Sequence, residues 1–153
     1  MTKQILLKTA ASLHQPSKEA QNEFSQKLTS LVETMNKTML NRSDIKNLVG
    51  KDNIEMMKDN HANHARFMES VFENYIPEVL VDTVLWVFRA YRSRNFSSTY
   101  WAAQLNTWIT IYETELSENC NKQILPFYKW MQVNIPLFNQ LAEAEIDAPL
   151  SSH

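Results

Sequence analysis

Two histidines three residues apart are the side chains of this sequence best suited to chemistry. His61 and His64 lie on one stripe of a predicted helix. The rest of the stripe is apolar or aromatic: Ile54, Met57, Met68, Val71 and Tyr75. Residues three and four apart share a helix face, so the stripe predicts that both imidazole rings point into the helix packing. Imidazole binds metals and haem iron. Two interpretations stay open here: a ligand pair, or hydrogen-bonded histidines of the core.

The remaining potential ligands favour haem over a zinc or di-iron site. No Glu-x-x-His pair is available to face the two histidines from another helix, and the further imidazoles are those of His14 and His153. One cysteine, Cys120, can form neither an intramolecular disulfide nor a cysteine zinc site, and it predicts an intracellular protein.

The neighbouring side chains could serve a ligand or simply fill the core. Six apolar residues would line a pocket well: Met57, Phe67, Met68, Phe72, Phe88 and Trp108. Arg92 lies in a basic cluster with Arg89 and Arg94. This cluster is either a solvated surface or a clamp for carboxylates, such as haem propionates or an acidic partner, because guanidinium groups match carboxylate geometry.

Length and composition exclude several classes of protein. The 153 residues suit one domain, and a formal charge of −2 gives no reason to expect nucleic acid. A single glycine excludes glycine-rich phosphate loops. Glu78 and Asp82 interrupt the longest apolar run, and no signal peptide is apparent, so we expect a cytoplasmic protein without a membrane span. No catalytic signature occurs, and we expect no enzymatic activity.

Helical periodicity recurs along the chain and predicts an all-α fold of six or seven helices. An antiparallel bundle and a globin-like arrangement both fit this pattern. Ser17, Asp52 and Ser117 are predicted helix N-caps. Pro126 and Pro136 are expected to kink or interrupt the last helix.

The stretch 81–142 resembles the N-terminal sensor domain of RsbR-type stressosome proteins. The resemblance is carried by RAYRSRNFSSTYWAAQLNTWITIYETEL, residues 89–116, and by VNIPLFNQLA, residues 133–142. It implies a globin-like sensor domain at residues 1–145 that forms a homodimer. It also implies that residues 146–153 are a linker towards a C-terminal STAS domain, with stressosome STAS-domain proteins as partners.

The same resemblance bears on haem. The segment NHARFMESVF, residues 63–72, is similar to the globin E helix and implies that His64 occupies the distal position. Where a haem sensor globin has its proximal histidine, this sequence offers Tyr91. Three alternatives follow: no haem, an axial ligand at His64 or His61, or a tyrosine ligand. The expected function is stress signalling, with oxygen or redox state sensed through haem. The alternatives are a ligand-free interaction module and a haem or metal redox protein.

Overall fold

The computed structural model describes residues 2–146. These residues form eight α-helices: α1 (Thr2–Ala10), α2 (Lys18–Leu40), α3 (Ile45–Val49), α4 (Ile54–Glu73), α5 (Pro77–Arg92), α6 (Tyr100–Glu115), α7 (Glu118–Val133) and α8 (Ile135–Ile146). No strand occurs within the described range, which confirms the all-α prediction and is compatible with a globin-like bundle. Apart from Ile146, the linker predicted at residues 146–153 lies outside the described residues.

Local capping explains where two of the longer helices begin. Ser17 Oγ accepts a hydrogen bond from the Ala20 backbone N–H at 3.2 Å, and Ser117 Oγ accepts one from Cys120 N–H at 3.2 Å. Each bond satisfies a donor that the first turn of a helix leaves unpaired. The predictions for Ser17 and Ser117 are therefore confirmed.

The start of α4 differs from the prediction. The helix follows Asn53 rather than Asp52, and the side chain of Asn53 makes no cap hydrogen bond. Its Nδ2 instead donates to the carbonyl oxygens of Val49 and Arg94, at 2.7 and 2.9 Å. Gly50 ends α3 with φ of +93°, a conformation that favours glycine, and an added Cβ would lie 3.1 Å from that Nδ2. Asn53 therefore connects the turn before α4 to the loop before α6 through side-chain hydrogen bonds.

The chain expected to form one last helix is divided in two. The break falls at Asn134, whose Nδ2 donates to the Trp130 carbonyl oxygen at 2.8 Å. Pro136 lies in the first turn of α8, where its missing N–H costs nothing. Pro126 remains inside α7. This division, together with the short α3, gives eight helices in the described range instead of six or seven.

Helix packing divides the bundle into two groups. Helix α2 packs against α4, α6 and α7, whereas α5 packs against α8 and α1. The largest fully buried side chains are mostly aromatic: Trp108, Tyr100, Tyr112, Tyr128, Phe24, Phe72, Phe127 and Phe138. Among residues 2–146, no helix has the length and apolar character needed to cross a membrane.

Candidate functional site

A cavity of about 270 Å³ lies between α4, α5, α6 and α7. Most of its walls are apolar or aromatic, including Phe67, Met68, Trp86, Phe88, Trp101 and Met131. Its polar lining includes Asn60, His64, Tyr91 and Gln104, and among residues 2–146 no lysine or arginine belongs to the lining. An apolar cavity of about 150 Å³ is large enough to bind benzene. This cavity can therefore hold a somewhat larger molecule.

His64 forms part of the cavity wall, and a chain of two tyrosine hydroxyl groups is hydrogen-bonded to its ring. Its Nε2 lies 2.6 Å from the hydroxyl oxygen of Tyr128, which lies 2.5 Å from the hydroxyl oxygen of Tyr112. The His64 ring also stacks on Trp108, with a centroid distance of 5.4 Å and an interplanar angle of 28°. The ring is thus held by Tyr128 and Trp108 while it remains half-buried at the cavity.

The chain of hydroxyl groups determines which nitrogen of His64 carries the proton. Both tyrosines are buried, and the Tyr112 hydroxyl has no other hydrogen-bond partner in the described part of the chain. If Tyr112 donates to Tyr128 and Tyr128 donates to Nε2, every hydroxyl proton has an acceptor. The reverse order leaves the buried Tyr112 proton without one, which costs roughly 1–3 kcal/mol. His64 therefore accepts at Nε2 and carries its proton on Nδ1.

His61 occupies a different environment one turn earlier on α4. Its side chain is 0% exposed, and its Nδ1 lies 2.6 Å from Oδ1 of Asn36 on α2. An amide oxygen only accepts, so the proton is on Nδ1 and Nε2 has a free lone pair. That Nε2 is buried without a hydrogen-bond partner among the described residues, and the ring contacts Trp108 edge to face at 6.1 Å.

Burial keeps both histidines neutral. It lowers the pKa of His61 to about 3, and the neighbouring His64 lowers it further in the same direction. Burial alone lowers the pKa of His64 to about 4. Both rings are therefore uncharged at neutral pH, in agreement with the hydrogen-bond assignment above.

A second polar group lies in the cavity wall. Asn60 Oδ1 accepts hydrogen bonds from the Tyr100 hydroxyl at 2.8 Å and from Gln104 Nε2 at 2.6 Å. Tyr91 lies nearby on α5, and burial raises the pKa of its hydroxyl while a hydrogen bond with Asn60 opposes that shift. The Tyr91 side chain is therefore a protonated phenol at neutral pH.

The residues predicted from the sequence are divided between the cavity and its surroundings. Five of them line the cavity: His64, Phe67, Met68, Phe88 and Tyr91. Four others are buried but are not part of the lining: Met57, His61, Phe72 and Trp108. His61 faces α2 and α6 instead. Arg92 is also outside the lining, because it forms an ion pair with Glu143 of α8.

Three polar residues of the site were not predicted. Tyr128 fixes His64, and Asn60 and Gln104 form the second polar group of the wall. Asn60 lies four residues before His64 and shares its helix face, which is a signal that the sequence contains. Tyr128 is 64 residues from His64, and helical periodicity does not reveal which helices meet.

In this arrangement neither histidine offers a free lone pair to a haem iron in the cavity. An axial ligand needs a free lone pair facing the iron, but His64 accepts at Nε2 and is protonated at Nδ1. The free lone pair of His61 is on a nitrogen outside the cavity lining. Arg92 forms an ion pair with Glu143 and is therefore not free to bind a haem propionate. Within residues 2–146, no group of three or more His, Cys, Asp or Glu side chains could hold a metal ion. Haem binding stays a prediction, which titration with hemin tests.

Comparison of the chain with known proteins finds no matching family model, no matching curated protein and no matching solved structure. The cavity is the feature that points most directly to a function. It combines apolar walls with a few polar groups, the composition typical of small-molecule sites.

Proposed function

We propose that this chain is a sensory and scaffolding domain of an RsbR-type stressosome protein, and that it responds to a small molecule bound in the cavity. One observation carries the sensory part: Phe88 of α5 lines the cavity and also contacts Phe138 of α8. The resemblance of residues 81–142 to the stressosome sensor domain supports the choice of family. Helix α8 is the last described helix and leads towards the predicted linker at 146–153.

The contacts between α5 and α8 provide the route for the signal. The Phe88 ring stacks on Trp101, another cavity residue, at 4.6 Å and lies 5.1 Å from the Phe138 ring. The ion pair between Arg92 and Glu143 joins the same two helices nearer their C-terminal ends. Because buried side chains are closely packed, a displacement of α5 at the cavity displaces α8 as well.

A ligand shifts a conformational equilibrium only when it binds two states with different affinity. In this proposal the two states differ in the separation of α4 and α5. A bound molecule keeps these helices apart and favours one position of α8, whereas the empty cavity allows α5 to approach α4. His64 contacts the ligand, and His61 is structural.

The scaffolding part of the proposal follows from the family resemblance. The domain forms a homodimer in the cytoplasm, contacts STAS-domain proteins of the stressosome and catalyses no reaction. Sedimentation at micromolar concentration should give the mass of a dimer. A strict monomer under those conditions would contradict this part of the proposal.

Amide NMR shifts of the ¹⁵N-labelled chain test the route from the cavity to α8. Saturation with acetophenone should shift amides lining the cavity and also amides around Phe138. The Phe138→Leu variant should still bind but lose the response in α8. Phe127→Leu is the matched control, since Phe127 is equally buried but packs against Phe72 and Tyr75.

Two outcomes of this experiment would contradict the proposal. Shifts confined to α4, α5 and α6 would show that binding does not reach the last helix. No binding of acetophenone, α-methylstyrene or benzoate would favour the alternative, a ligand-free interaction module of the same fold. A haem-based oxygen or redox sensor would instead show an intense Soret band after incubation with hemin.

A further inference from the structure

We infer that the cavity selects a neutral, ring-containing molecule with one hydrogen-bond acceptor, such as a carbonyl oxygen, which accepts from Nδ1–H of His64. This inference rests on the proposed function, because it names the chemical class of the molecule sensed. It depends on three properties of the cavity: its donor, its lack of positive charge and the shape of its walls.

The donor is fixed by the protein and is unused. His64 Nδ1 carries the proton because Tyr128 donates to Nε2 and accepts from Tyr112. Nδ1 makes no hydrogen bond to any described residue, and it is not among the buried unpartnered atoms. A ligand that offers an acceptor completes the hydrogen bonding of the ring, whereas a purely apolar ligand leaves a donor unpaired.

The charge of the cavity excludes an anionic ligand. No lysine or arginine of the described chain lines it, and His64 stays neutral because burial lowers its pKa to about 4. The Asn60 carbonyl oxygen is itself an acceptor and offers no donor to an anion. An ionised group placed here would lose hydration without a charged partner, which is strongly unfavourable.

The walls favour a flat ring. Phe67, Trp86, Phe88 and Trp101 contribute aromatic surfaces, and aromatic rings pack well against one another in offset or edge-on contacts. The volume of about 270 Å³ exceeds the ~150 Å³ that accommodates benzene. One ring with a short substituent therefore fits.

Three probes of nearly equal shape test the inference by calorimetry at pH 7: acetophenone, α-methylstyrene and benzoate. α-Methylstyrene replaces the carbonyl oxygen of acetophenone by CH₂, and benzoate carries a negative charge. The measured quantity is the affinity ratio of acetophenone to α-methylstyrene. This ratio should fall about fivefold in Tyr128→Phe, which releases His64 from the tautomer fixed by the tyrosines, because one neutral hydrogen bond contributes about 1 kcal/mol.

Tyr75→Phe is the matched control. It removes the same hydroxyl group from a tyrosine outside the lining, where the hydroxyl donates to the Ala10 carbonyl oxygen, so the ratio should stay unchanged. Benzoate should bind more weakly than acetophenone to the unmodified protein. Thermal unfolding checks that both variants are folded.

The outcomes separate this inference from the proposed function. Equal ratios in all three proteins, or tightest binding of benzoate, would overturn the ligand class and leave a ligand-responsive cavity intact. Failure of all three probes to bind would contradict both. If Tyr128→Phe does not fold, side-chain ¹⁵N spectra of the unmodified protein decide: His64 should be protonated at Nδ1, and protonation at Nε2 would overturn the inference.

Discussion

The two histidines of α4 lie one turn apart on one helix, yet their surroundings differ. His61 is 0% exposed and is held to α2 by Asn36, whereas His64 is half-buried at the cavity and is held to α7 by Tyr128. Each ring has one nitrogen fixed by the protein. The other nitrogen of His61 is a buried acceptor, and that of His64 is a donor available to a ligand. The helices that meet each histidine therefore separate a structural ring from one suited to recognition.

The largest expected effect is a loss of folding stability in acid, caused by both histidines. The unfolded chain takes up protons at His61 and His64 below about pH 6.5, but the folded protein does not until the pH approaches 4 and then 3. The free energy of unfolding should therefore decrease as pH falls, by roughly 1 kcal/mol per pH unit for each histidine. Between pH 6.5 and 4.5 the total loss should be about 4 kcal/mol, measured by urea denaturation at several pH values.

Substitutions at the three histidines of the described chain identify the source of this loss. His61→Leu and His64→Leu should each reduce the pH dependence by about half, since each removes one group that titrates only in the unfolded state. His14→Leu is the matched control, the same change at an exposed histidine. An equal dependence in all three variants would show that other groups cause the acid sensitivity.

Replacement of each histidine by alanine at pH 7 should have a smaller effect on the free energy of unfolding, and this effect should differ between the two sites. His61→Ala should lower the free energy of unfolding by about 3 kcal/mol, because it opens a void in a closed part of the core. His64→Ala should cost only about 1 kcal/mol, because water entering from the cavity can hydrogen-bond to the Tyr128 hydroxyl. Urea denaturation measures both values. A His64→Ala variant as unstable as His61→Ala would remove the distinction between the sites.

The smallest expected effect is a shift in the pKa of His61 caused by a negative charge placed beside it. Asn36→Asp places a carboxylate next to the protonated Nδ1, which favours the imidazolium form and should raise the pKa of His61 by about one unit. The pKa of His64 should change less. NMR titration of the ring resonances measures both values, with Asn119→Asp on α7 as the same change at an exposed asparagine. An unshifted His61 would show that Asn36 is not its partner.

The sequence predicts the local features of this fold well because their signals are local. The side chains of Ser17 and Ser117 cap helices through residues three positions away, and Pro77 begins α5. The sequence does not predict the helix break at Asn134, because a proline can kink a helix, begin a new one or stay inside it. Pro136 and Pro126 illustrate the last two outcomes.

The candidate site is less predictable because it depends on which helices meet. Periodicity placed His61 and His64 on one face, but their partners Asn36 and Tyr128 are 25 and 64 residues distant. One face of a helix also packs against more than one neighbouring helix. Met57 therefore shares the stripe with His64 and is buried without lining the cavity. Long-range packing, rather than residue spacing, decides these assignments.

The cavity walls consist of side chains carried by four regular helices, and Gly50, the only glycine in the sequence, lies outside the lining. The backbone around a ligand therefore does not depend on loops with unusual conformations. Exchanges at lining positions such as Met68 or Val87 can change the size and shape of the space while the helices stay in place. Exchanges that conserve side-chain volume, such as Met68→Leu, change the shape of the space and cost little stability. Single substitutions at these positions can accordingly change which molecule fits the cavity while the contact between Phe88 and Phe138 stays in place.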